Sequence, residues 1–286
     1  MMPPCQRALS RRAFLTGSAA LTANAILPAT APAATQDAYG VLQVWSCGGL
    51  AEAFMPANAR FKEITGIEIA YTGAFAAALG KSLMGNAVTE VFAGRVLDLA
   101  RKLRAAEKMI YFEPLCFSRY VLVTPKGNPA GISDIQDLAK PGIRVILAPK
   151  ASPPGGQAVI GLLKKAGVAT KALQNAVVQG SCVQRTMKQL IDGQGDVSVV
   201  EYRLTRMPLF VDKVEVISIP TQYFPSPPLT FTIGVMQAAR DRSLADRYVA
   251  YILSPEGQAI FENAGFIPAS SEQGRQLVEK LGVKDA

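Results

Sequence analysis

From Gly40 onward the chain alternates short apolar runs of β-type residues with longer stretches of helical periodicity, and this alternation limits its fold more than any other feature. Repeated β-run and helix make an α/β protein with parallel sheet. The predicted strands are Val41–Trp45, Ile67–Tyr71, Val91–Ala93, Arg144–Leu147, Val177–Gln179, Val197–Val200 and Val214–Ile219. Between them, Val183, Met187, Leu190 and Ile191 recur at helical spacing, as do Leu244, Tyr248, Tyr251 and Ile252. Another helix is expected to start with Ser254 as N-cap and Pro255 at the first helical position, and to end near Gly265. Two longer apolar strands, Tyr120–Thr124 and Leu229–Met236, stand where the chain could cross between two lobes. The expected organisation is a first lobe from 40–120 and 228–286 and a second from 121–227.

Residues before this pattern read differently. Arg11-Arg12 precede Phe14-Leu15, an apolar stretch runs from Ala13 to Leu27, and small residues follow at 29–34. Charged, apolar and small-residue regions in that order make an export signal over 1–33, resembling the twin-arginine type, with cleavage after Ala33. The stretch is about 15 residues, too short for the roughly 20 of a spanning helix, so a cleaved, periplasmic protein is expected. Removing Arg7, Arg11 and Arg12 lowers the formal charge from +8 to +5. That mild excess, with no basic run interleaved with aromatics, predicts no nucleic-acid partner.

The chain has no histidine. Catalytic pairs of Ser or Cys with His, and His metal sites, are thereby excluded. Its four cysteines, Cys5, Cys47, Cys116 and Cys182, are too few and too far apart for a disulfide scaffold or a zinc motif. Cys5 would leave with the signal, and three thiols would remain in an oxidising compartment.

The motifs VWSCGGLAEAF (Val44–Phe54), FKEITG (Phe61–Gly66), YVLVTPKGNP (Tyr120–Pro129) and LSPEGQAIF (Leu253–Phe261) occur in an order and spacing that covers nearly all of the mature chain. On these the sequence resembles periplasmic solute-binding proteins of ABC transporters, closest to the molybdate-binding family. The resemblance implies a type II periplasmic binding protein: α/β, with two Rossmann-like lobes joined by two crossing strands. It further implies a small inorganic ligand of the molybdate or tungstate type held between closing lobes, a permease in the inner membrane as partner, a monomeric receptor, no cofactor and no catalysis.

In open α/β sheets, ligands sit where strands end and helices begin. Candidate turns are Ser46-Cys47-Gly48-Gly49, Ala74–Ala78 with Ala76 and Ala77, Ser152–Gly156 with Gly155 at a helix start, and Gly180-Ser181-Cys182. Glycines there allow close backbone approach, though they also suit plain tight turns. The family is expected to hold its dianion with neutral donors, hydroxyls in the first two turns and a late Tyr. By position, Gly49 and Ala76–Ala78 stand where hydroxyls are expected, and Glu201, or Tyr202 with a shift of one, stands for the Tyr. Ser46 and Ser181 remain as hydroxyl donors.

Cys47, Cys182, Glu201 and Cys116 form an alternative ligand set, for a thiophilic metal or metalloid. Plainer readings are buried thiols that act as small hydrophobes, a surface Glu201–Arg203 ion pair, and a Cys47–Cys182 disulfide across the cleft. A ligand sensor and a Cys-dependent enzyme on the same fold are the functional alternatives.

Overall fold

The computed structural model describes residues 40–151, 153–225 and 230–285. The export signal lies outside the described residues, as do Ser152 and the 227/228 lobe boundary. Among the described residues, no helix is long and apolar enough to cross a membrane.

The described residues form two mixed sheets. The first contains β1 (Val41–Cys47), β2 (Glu68–Ala74), β3 (Val91–Arg95) and β4 (Met109–Phe117), and later β10 (Thr230–Met236) and β11 (Ile267–Pro268), in the order β11-β4-β10-β3-β1-β2. The second contains β5 (Tyr120–Pro125), β6 (Val145–Leu147), β7 (Ala176–Gln179), β8 (Val197–Glu201) and β9 (Val214–Ser218), in the order β7-β6-β8-β5-β9. β1, β2 and β3 run parallel, as do β6, β7 and β8. In each sheet the antiparallel strands complete the order: β10 beside β3, and β5 beside β8. The chain passes between the sheets at Ser118-Arg119, and again between β9 and β10.

Helices α1 (Ala51–Thr65), α2 (Ala76–Met84), α3 (Leu97–Ala105), α4 (Gly155–Lys165) and α6 (Val183–Ile191) follow parallel strands, and α5 (Ala169–Gln174) follows α4; of these, α6 matches the periodicity read from the sequence. α7 (Arg242–Leu253), α8 (Pro255–Asn263) and α9 (Glu272–Leu281) finish the chain. Ser254 caps α8, its Oγ accepting from the Gly257 amide at 3.2 Å, with Pro255 at the first helical position. Missed by the sequence reading were β4 and β11. β4 carries Glu113 and Pro114 inside an apolar run, and its pairing with β10 skips Leu115, the residue next to Pro114. Proline cannot donate to a sheet ladder and is tolerated at such a bulge.

One apolar cluster spans both sheets, joining Phe92, Phe112 and Phe117 of the first to Tyr120, Leu122 and Val199 of the second. Two others lie beneath α1, α7 and α8 and beneath α6.

Candidate functional site

The parallel strands end at Cys47, Ala74 and Arg95 in one sheet and at Leu147, Gln179 and Glu201 in the other. All the turns singled out in the sequence therefore lie at carboxyl ends of parallel strands, where loop amides and helix starts are free to meet a ligand.

Four charged side chains dominate the space between β1, β3 and β8. Arg95 ends β3, a strand buried along its whole length, and pairs through Nη2 with Oε1 of Glu201 at the end of β8. The Arg203 Nε donates to the other oxygen, Oε2, at 2.7 Å. Arg203 Nη1 then reaches Glu52, in the first turn of α1, at 3.3 Å. The side chains are 6% (Arg95), 8% (Glu201), 15% (Arg203) and 27% (Glu52) exposed, so this is a buried alternating chain with its open end at Glu52. Arg95 also donates to Ser118 Oγ and the Tyr120 hydroxyl, both at 3.3 Å.

Burial alone would push the Glu201 carboxyl up. The two guanidiniums outweigh it and hold the carboxyl at about 2. Burial likewise opposes the charge on Arg95, which Glu201 restores and reinforces. The Tyr120 phenol is pushed above its ordinary range by burial and by the Glu201 charge.

The first turn sits directly under this chain. The Arg203 guanidinium covers Gly49, where an added Cβ would come 3.5 Å from Nη2. Cys47 accepts the Gly49 amide hydrogen, and burial raises its thiol against the pull of Arg95. Ser46 is fully buried; its Oγ shares a 2.6 Å hydrogen bond with the Tyr71 hydroxyl, which burial pushes up to about 12. On the far side, Gly265 has φ +93° and would place a Cβ 2.8 Å from the Arg203 Cα. Only a residue without Cβ lets the 201–206 segment approach the α8–β11 loop so closely.

The structure thus brings Cys47, Gly49 and Glu201 together, with Gly48 behind them, where an added Cβ would come 3.5 Å from the Ala74 carbonyl oxygen. Ala76 is half-buried and Ala77 exposed in the first turn of α2. Gly155 begins α4 with open space above it. Gly180 packs on Thr186, Ser181 is exposed, and Cys182 caps α6. The Tyr202 ring lies under the Arg119 guanidinium at 4.9 Å.

Two readings need correction. Glu201 and Arg203 are not a surface pair but the centre of a buried network. The set Cys47, Cys182, Glu201 and Cys116 does not assemble: among the described residues no three such groups are placed to hold a metal ion. Glu201 is fully engaged by guanidiniums, and Cys116 lies completely buried in β4 with its thiol raised well above the usual range by burial. Cys47 and Cys116 are free and buried, so no Cys47–Cys182 disulfide crosses the cleft. Arg95 was overlooked; an arginine closing the otherwise uncharged run Val91–Arg95 was the available signal.

Residues 42–267 match the family model described as bacterial extracellular solute-binding protein. Among curated relatives, a sulfate-binding protein from Synechococcus elongatus is 26% identical over 93% of this chain and 85% of its own. The molybdate-binding protein ModA of Mycobacterium tuberculosis is 26% identical over 84% of this chain and 89% of its own. The periplasmic molybdate-binding protein of Azotobacter vinelandii superposes with a TM-score of 0.63 at 19% identity, covering 79% of this chain and 98% of that one. With two mixed sheets of this topology and a family match across most of its length, the chain belongs to the bacterial extracellular solute-binding proteins and has the type II periplasmic binding protein fold.

Proposed function

We propose that the protein is the periplasmic receptor of an ABC transporter, binding a small oxyanion of the sulfate or molybdate type between its two lobes and delivering it to an inner-membrane permease. The observation that carries this reading is the pair of buried guanidiniums, Arg95 at the end of β3 and Arg203 in the turn after β8, both turned toward one carboxylate above the Ser46–Gly49 turn. Planar guanidiniums in a water-poor site are strong binders of oxyanions. The names of the curated relatives support the same ligand class. The lobes, 40–120 with 228–286 and 121–227, would close about the two passages between sheets, with ligand contacts from both favouring the closed state.

A thermal-shift panel with sulfate, molybdate, tungstate, Cd(II) and arsenite tests this. At a hundredfold excess over Kd, a ligand adds about 2.7 kcal/mol, a rise of several degrees for a chain of this size. Stabilisation by an oxyanion that Arg95→Met and Arg203→Met abolish is the expected result. Stabilisation by Cd(II) or arsenite alone would overturn it.

A further inference from the structure

The arginine pair is not vacant. Each oxygen of Glu201 goes to a different guanidinium, Oε1 to Arg95 and Oε2 to Arg203, so the carboxylate already binds as a two-oxygen anion would. An edge of a tetrahedral oxyanion presents the same pair of acceptors. With Glu52 closing the far end, the four charges sum to zero. A dianion added to that arrangement would put three negative groups against two positive ones in a poorly hydrated space, which is strongly unfavourable.

We propose that Glu201 is a built-in occupant of the anion seat, and that an oxyanion binds by exchange: it takes Arg95 and Arg203 while Glu201 lets go and accepts a proton from solvent. This rests on the oxyanion reading above and extends it to the chemistry of selection. Once released, Glu201 has no other cation at hand among the described residues. Besides the two arginines, the groups facing it are the Tyr120 phenol from β5 and the Cys47 thiol at the end of β1, with Glu52 of α1 beyond Arg203. None of these can neutralise a buried carboxylate, so it becomes neutral by protonation. The ligand must therefore win its guanidiniums from a carboxylate that is already desolvated. A second consequence is that binding strengthens as pH falls.

Isothermal titration calorimetry of sulfate and molybdate into the whole protein, in two buffers of different ionisation enthalpy, counts the protons. For the wild-type protein, uptake close to one proton per anion is expected, and sulfate affinity should fall about tenfold for each unit of rising pH around neutrality. Glu201→Gln should take up no proton and bind at least about tenfold more tightly at neutral pH. The proton count needs no variant, so it decides the matter even if Glu201→Gln folds poorly. Sulfate binding with no proton uptake and unchanged or weaker affinity in Glu201→Gln overturns the exchange while leaving the oxyanion reading intact. Absence of oxyanion binding by both proteins overturns that reading and the exchange with it.

Discussion

Arg203 holds Glu201 through Nε and Glu52 through Nη1, so replacing it leaves a buried carboxylate with Arg95 as its main partner. Arg203→Met should cost about 3 kcal/mol in urea unfolding, because breaking one side of a buried pair exposes the other to its desolvation penalty. Acid sensitivity should follow. The Glu201 carboxyl is held at about 2 against an ordinary 4.5, so its contribution is fully present above about 4.5 and is lost as pH falls through about 2. With Arg203 gone the folded-state value rises, and the acid limb of a stability-versus-pH curve should shrink. A curve with an unchanged acid limb would show that Arg203 does not hold that proton off. Glu52→Gln, at the more exposed end, should change stability by less than about 1 kcal/mol.

At the scale of elements, adjacent glycines at the start of α4 make a sharp contrast. A Cβ on Gly156 would come 2.4 Å from the Pro149 carbonyl oxygen, whereas one on Gly155 would meet nothing within 4 Å. Gly156→Ala should therefore lower Tm by several degrees while Gly155→Ala leaves it nearly unchanged; equal shifts in differential scanning calorimetry would contradict this packing. Most elements of this kind were legible beforehand. Strands such as Val197–Glu201 are valine-rich runs free of Gly and Pro, and α6 and α8 carry clean periodicity or cap residues. β4 was not legible, because Pro114 and Glu113 disguise a strand whose pairing is irregular at that point. The candidate turns could be found from strand-then-glycine patterns alone. Their charge could not: Arg95, Glu201 and Glu52 lie far apart in sequence, and only the meeting of two sheets makes them neighbours.

For the whole molecule, the closure proposed above should be visible through the single tryptophan, Trp45, which lies two residues before Cys47 in β1 and packs against the core shared by both sheets. Saturating oxyanion should change its emission, and Arg203→Met should abolish that change; a signal unaffected by the substitution would place the ligand elsewhere. The strand order carries a separate consequence, for folding kinetics. β10 is the central partner of β3 and β4, yet it is made only after the entire second sheet. The first sheet must wait for a strand more than a hundred residues away, a high contact order that makes for slow folding. Until then β3 and β4 face solvent with the edges that β10 will cover, and unpaired apolar edges recruit other chains. Synthesis halted before Thr230 should therefore yield aggregate, not a stable half-protein.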